Sequence, residues 1–341
     1  MDKVSWPLEG LESLGCCPIC GSAERKTAYA DASDRLYGAP GTWTLYRCLD
    51  CLVCYLDPRP NSKTVGLAYA SYHTHVAASR NPDNLLGKAK LALRNGYLNN
   101  TWNTSLRPSL PLLARVLTQL FPKWMRMRER QILRDLPKPA KGTLLDIGCG
   151  AGSFLKMAKM VGWSVQGIDF DWEAVKVARK EGIDARQGGI ELFDGQNDLF
   201  DVVTVSHVIE HVHEPRKLVE ACLRILKPGG TFWIETPNFD SHGRKLFGKD
   251  WRGLEPPRHL VLFNTENLSK LLADSGFRNI RHAEWMPQFG PMYQASKNIR
   301  NRVAIGSRNL SILERIKIKI VDHRLKRDFA EREYITLICE K

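Results

Sequence analysis

Residues 144–154 read Leu144-Leu145-Asp146-Ile147-Gly148-Cys149-Gly150-Ala151-Gly152-Ser153-Phe154. The apolar run 143–147 predicts a buried strand. It enters three alternating glycines and then an amphipathic helix starting near Ser153. Glycines at such a junction permit a tight turn and let a ligand approach the main chain without meeting a Cβ atom. A second strand, 165–168, ends in Asp169, 21 residues beyond Gly148. A carboxylate at that distance can accept hydrogen bonds from both ribose hydroxyls of a nucleoside.

The alternation continues along the chain. Helix 171–181 precedes a short strand at 183–187, then strand 200–205, the segment His207-Val208-Ile209-Glu210-His211 and helix 214–226. Lys227-Pro228-Gly229-Gly230 reads as a turn before strand 231–235, and 334–339 alternates as a further strand. Strand and helix in this alternation predict an α/β fold. In combination these motifs resemble the class I S-adenosylmethionine-dependent methyltransferases over about 141–286 and 333–340. A dinucleotide dehydrogenase is the structural rival, but the short glycine turn and the Lys227–Gly230 turn both favour the methyltransferase. The resemblance implies a Rossmann-like seven-stranded methyltransferase sheet and S-adenosylmethionine as cofactor. Asp146 would fix the glycine loop and approach the methionine amino group, while Gly148, Cys149, Gly150 and Gly152 give access to the main chain. Asp169 would hold the ribose, Phe170 lie along the adenine, Gly189 and Ile190 meet its edge, and Ser206 complete the set.

The nine cysteines are unevenly placed, six of them before residue 55. Cys17-Pro-Ile-Cys20 and Cys48-Leu-Asp-Cys51 form two Cys-x-x-Cys pairs, a spacing suited to tetrahedral zinc on four thiolates. Cys51-x-x-Cys54 is an alternative register, but Cys54 sits in the apolar run 53–56. With all four positions filled, the zinc would be structural. The expected organisation is a zinc ribbon over 1–60, a helical accessory segment over 61–140, and a methyltransferase domain over 141–341 carrying a basic insertion at about 287–332.

The net charge of +13 on 341 residues is concentrated. Residues 78–130 hold ten Lys/Arg against two Asp/Glu, and residues 294–330 hold ten against three. Two basic segments beside a nearly neutral remainder suggest an anionic partner: substrate phosphates, acidic lipid or nucleic acid. Within the first, Leu112, Leu113, Val116, Leu117, Leu120, Phe121, Trp124 and Met125 recur at helical spacing, with Pro122 ending or kinking the helix. Such a stripe packs on the protein's own core or, flanked by Arg115, Lys123, Arg126 and Arg128, lies in a membrane interface. No apolar run approaches the ~20 residues of a membrane-spanning helix. The N-terminus reads as no secretory signal. The expected compartment is the cytoplasm, with peripheral contact at the inner membrane face.

Methyl transfer to a hydroxyl needs a proton acceptor. His207, Glu210 and His211 fall on one helical face, and their segment resembles that of ubiquinone-pathway O-methyltransferases and related sugar methyltransferases. In some of the former a Glu-x-x-Glu-His version binds a divalent ion; His207 departs from that pattern. Glu210 orienting His211 as a general base is the catalytic expectation; the alternative is a purely structural role in which His211 caps the loop. A second candidate is the loop Trp251-Arg-Gly-Leu-Glu-Pro-Pro-Arg-His259, whose Trp251, Arg258 and His259 would receive an anionic, ring-containing acceptor. The leading reading is methylation, at oxygen or carbon, of a small molecule or glycan: a sugar, nucleotide sugar or lipid-linked saccharide. The alternatives are a quinone-type ring O-methyltransferase, a ribosomal RNA methyltransferase and a non-catalytic nucleoside-binding module. Against RNA, Thr236-Pro237-Asn238-Phe239 is not the Asn/Asp-Pro-Pro-Tyr motif of adenine methylation. Nor are aromatic residues densely interleaved with the basic ones.

Overall fold

The computed structural model describes residues 6–70, 84–138, 142–304, 306–307 and 309–341. The expected boundary at 140–141 and the charged Arg80, Asp83 and Arg308 lie outside these residues. Two compact units are present. The first comprises Met1–His73, Ser206–Leu223 and Ile234–Glu340; the second comprises Thr74–Val205, Arg224–Trp233 and Lys341.

The chain opens with β1 (Leu11–Glu12), β2 (Arg25–Ala32), β3 (Trp43–Cys48), β4 (Cys54–Leu56) and β5 (Arg59–Pro60). β2, β3 and β4 form an antiparallel sheet whose outer strand is supplied from far along the chain, as described below. Leu45, Tyr55 and Leu56 are buried in it.

Three helices follow: α1 (Leu85–Trp102), α2 (Pro111–Leu120) and α3 (Pro122–Leu133). Pro122 breaks the stripe as expected: α2 stops at Leu120, Phe121 is non-helical, and Pro122 is the first residue of α3, where its missing N–H is not needed. The polar stretch from Asn99 is also helical as far as Trp102, and the break falls at Asn103, whose left-handed conformation stops α1. The Asn99 side chain then bonds Leu106 through both its oxygen (2.8 Å) and its nitrogen (3.1 Å), folding the following loop back on α1. Glu129 accepts from Tyr97 Oη (2.5 Å) and Trp102 Nε1 (2.7 Å), locking α1 to α3. These helices share one apolar cluster with Leu144, Phe154, Leu155 and Val175 of the elements that follow.

The series β6 (Thr143–Ile147), α4 (Ser153–Met160), β7 (Ser164–Asp169), α5 (Trp172–Lys180), β8 (Asp184–Gln187) and β9 (Phe200–Ser206) is the predicted alternation, and its strands pair in parallel. Next come α6 (Pro215–Ile225) and β10 (Leu226–Pro237). Lys227–Gly230 is not a turn: it lies within β10. Its backbone bonds to Lys341, at 3.3 Å from Gly229 N and 3.1 Å to Gly230 O, keep it in the ladder. α7 (His242–Phe247), β11 (Val261–Leu262), α8 (Thr265–Asp274), β12 (Arg278–His282), α9 (Phe289–Asn301), α10 (Ile312–Leu325) and β13 (Tyr334–Glu340) complete the chain. β11 is the outer strand added to β4, in the sheet order β11-β4-β3-β2. The main sheet has seven strands in the order β12-β13-β10-β9-β6-β7-β8, with β12 and β13 antiparallel. α9 and α10 pack through Phe289, Ile318 and Leu325.

Candidate functional site

In the second unit the glycine turn after β6 holds Gly148, Gly150 and Gly152 at φ of 73°, 52° and 77°. Side chains are strained in this left-handed region. At Gly150 a Cβ would meet nothing within 4 Å, so the turn is open there; at Gly152 it would press within 3.1 Å of Ala178 on α5. The loop is fixed by Asp169, whose Oδ2 accepts from Gly150 N at 2.8 Å while Oδ1 accepts from Asp171 N at 2.8 Å. That role was expected of Asp146, which is engaged otherwise. The β6–β9 register sets Asp146 beside Thr204, and its Oδ1 accepts from Thr204 Oγ1 (2.7 Å) and Arg134 Nη1 (2.5 Å). Its Oδ2 is buried and without a hydrogen-bond partner. Burial raises the pKa of both Asp146 and Asp169; the Arg134 charge opposes this at Asp146, as the backbone N–H groups do at Asp169. Cys149 is buried, and burial raises its thiol; its Sγ fills the space beside Gly167. Phe170 is exposed and its ring edge lies against Gly189, with Ile190 opening a short 3₁₀ turn.

Sequence reasoning missed Arg134. It stands just past α3 in the left-handed conformation (φ 46°) and stacks over the rings of Phe154 (4.0 Å) and Trp233 (5.3 Å). Nothing in the pattern distinguishes it from its basic neighbours. The orphaned Asp146 oxygen, the adjacent guanidinium, the open glycine turn and the Asp169 carboxylate fit the ammonium, carboxylate, main-chain approach and ribose of S-adenosylmethionine respectively.

The first unit carries the titratable cluster. His207 directly follows β9 in a left-handed conformation (φ 54°), and its N–H bonds Glu235 O at 2.8 Å. Its ring stands 3.4 Å from Glu210 Oε1 and 3.5 Å from Glu235 Oε1. Burial disfavours the imidazolium, but the two carboxylates prevail and raise its pKa to about 10. Glu210 is fully buried and accepts from Thr236 Oγ1 at 2.9 Å. Burial opposes its ionisation too; His207, with His211, holds it ionised, at about 2.

His211 Nδ1 lies 3.0 Å from both Tyr69 Oη and the Arg258 carbonyl. A carbonyl only accepts, so Nδ1 carries the proton and Nε2 the lone pair. Burial lowers the His211 pKa, with Glu210 partly offsetting it. His259 is fixed in the same tautomer by the Gly253 carbonyl, 2.8 Å from its Nδ1, and burial lowers its pKa well below the ordinary value. The His211 and His259 rings meet edge to face at 4.7 Å. One ligand atom each from Glu210, His211 and His259 lie within 4.8 Å of one another, a donor set able to hold a divalent ion. His259, distant in sequence, thus stands where the pattern suggested His207.

The loop Trp251–His259 does not present its other two residues to an acceptor. Trp251 is buried and donates to Glu333 Oε2 at 3.2 Å. Arg258 is fully buried, held by Asp34 (2.7 Å), Glu255 (3.1 Å) and the Ala68 carbonyl (3.0 Å). Two carboxylates and a carbonyl offset the desolvation of this arginine, which leaves its charge to the fold.

Cys17, Cys20, Cys48 and Cys51 also converge, all four Sγ atoms lying within 4.8 Å of one another. The Cys17–Cys51 and Cys20–Cys48 separations are 3.5 Å. A tetrahedron with Zn–S bonds of ~2.3 Å has edges of about 3.8 Å, so the arrangement fits zinc. The hydrogen bond with Cys51 lowers the Cys17 pKa to about 5, against burial. Cys54 is buried outside the group, and burial raises its thiol.

Residues 116–282 match the family described as a methyltransferase domain. These residues are a methyltransferase domain. The domain is similar over 106 residues, at 39% identity, to the ubiquinone biosynthesis O-methyltransferase of Xanthomonas oryzae pv. oryzae, covering 29% of this chain and 44% of that enzyme. Over 102 residues it is 35% identical to the enzyme of the same name from Pectobacterium atrosepticum, covering 28% and 42%. The chain therefore spans less than half the length of these curated relatives. A solved S-adenosylmethionine-dependent methyltransferase from Mesorhizobium loti superposes with a TM-score of 0.44 at 20% identity, over 64% of this chain and 97% of that one. Among the described residues no helix is long and apolar enough to cross a membrane.

Proposed function

We propose that the protein is an S-adenosylmethionine-dependent O-methyltransferase whose general base is His211, acting on a hydroxyl of a small-molecule or glycan acceptor. The observation that carries this reading is the fixed tautomer of His211: a half-buried imidazole with Nδ1–H committed to the Arg258 carbonyl and a lowered pKa, beside an ionised Glu210. The names of the curated relatives support oxygen as the acceptor atom. When bound, S-adenosylmethionine supplies a methyl group on a sulfonium that departs as a neutral thioether.

Arg134 takes the carboxylate of its methionine part and Asp146 the ammonium. Asp169 accepts from the ribose while keeping Gly150 in place. His211 removes the acceptor's hydroxyl proton at Nε2 as the oxygen is methylated, and Glu210 stabilises the imidazolium that results. His207, already protonated, pairs with both Glu210 and Glu235 and offsets part of their charge. We propose a structural zinc on Cys17, Cys20, Cys48 and Cys51, which would pin the first two loops of the ribbon.

Labelled S-adenosylmethionine incubated with fractionated cell extract tests the reaction and sorts sugar, quinone-type and RNA acceptors. His211→Gln should lower kcat by about 10²–10⁴-fold while leaving cofactor affinity unchanged by calorimetry. Full activity in this variant would remove His211 from the role; methyl transfer to RNA alone would replace the acceptor assignment.

A further inference from the structure

The apolar stripe of α2 and α3 does not close on the core. Ala114 and Met125 are buried and Leu117 half-buried, but Leu112, Leu113, Val116, Leu120, Phe121 and Trp124 are 45–79% exposed. Six large apolar side chains exposed along two consecutive helices, joined by Phe121 alone, are more than water explains. The charge around it has one sign. Arg115, Lys123, Arg126 and Arg128 are exposed among these residues, and no Asp or Glu occurs from Asn84 to Arg128. Trp124, the aromatic residue suited to a lipid headgroup layer, has the Arg128 guanidinium 5.8 Å from its ring. By contrast α10, which also exposes isoleucines, has Glu314 and Asp322 within it.

We propose that the α2–α3 segment docks on an anionic lipid bilayer, inserting its apolar residues at the headgroup boundary with its four cations against the lipid phosphates. Apolar burial and attraction to acidic lipid act together in such helices, and neither alone is strong. The inference does not depend on the proposed reaction, because binding to vesicles is read without turnover.

The test is flotation of the full chain with vesicles of phosphatidylcholine alone or with one-third phosphatidylglycerol. Wild type should float with the anionic vesicles at least tenfold better than with neutral ones, and less well as salt rises. Neutralising Lys123, Arg126 and Arg128 to Gln should weaken binding by about fivefold per charge. Leu113→Ser/Leu120→Ser/Trp124→Ser should lose binding at every salt concentration. All six positions are exposed, so unchanged cofactor affinity and melting temperature will certify that the variants fold. No flotation of wild type at low salt would overturn the proposal, as would equal flotation of the apolar triple variant. Concentration-dependent self-association without vesicle binding, abolished by the same triple variant, would overturn it in favour of a second copy as the occupant.

Discussion

His207 shows how one side chain couples a strained backbone to charge. It occupies a left-handed conformation that costs a non-glycine residue of order 1 kcal/mol, and it is flanked by two carboxylates, Glu210 and Glu235. Its pKa is raised to about 10 when folded, so its contribution to stability is complete below its unfolded value of about 6.5 and is lost as pH rises towards 10. Glu210 behaves oppositely: depressed to about 2, it stabilises above about 4.5 and loses this as pH falls. The melting temperature of wild type should therefore be highest near pH 5–6 and decline on both sides. His207→Gln should flatten the alkaline decline between pH 6.5 and 10, followed by scanning calorimetry. An alkaline limb identical in the variant would show that this imidazole is not held charged.

At the scale of elements, the Cys-x-x-Cys pairs are two segments whose sulfurs meet beside the sheet that buries Leu45, Tyr55 and Leu56. One zinc per chain is expected by metal analysis, and Cys17→Ser/Cys48→Ser should retain less than a tenth of it and melt at lower temperature. Full zinc content in that variant would reject the four-sulfur set. The succession of elements along the chain was legible because strand, glycine turn and acidic strand end each impose a local pattern, and the knuckles because ligand spacing is short-range. Long-range partners were not. Nothing adjacent to Val261–Leu262 says that it completes a sheet with Tyr55, and nothing beside His259 says that it meets His211. Arg258 reads as an exposed cation in sequence, since its partner Asp34 lies 224 residues away. The α2–α3 stripe was ambiguous for a related reason: periodicity reveals an apolar face but not what covers it.

For the whole molecule, ligand binding should appear as stability. A cofactor that binds the folded chain alone adds about 2.7 kcal/mol at one hundred times its Kd, so S-adenosylmethionine should raise the melting temperature of wild type. Asp169→Ala removes the carboxylate proposed for the ribose and the acceptor that holds Gly150. Each charge-assisted bond is worth ~1.5–3 kcal/mol, so affinity should fall by at least tenfold and the thermal shift should shrink accordingly. An undiminished shift would refute the cofactor assignment. The turn after α3 has a consequence for anyone engineering this protein. Arg134 and Asp135 are successive left-handed residues (φ 46° and 54°), where glycine would be the comfortable choice. Arg134→Gly would relieve about 1 kcal/mol of that strain, yet it would strand Asp146 in the interior without its cation and strip the cover from Phe154 and Trp233, which costs more; selection for heat resistance alone should therefore keep the strained arginine, just as selection for turnover does.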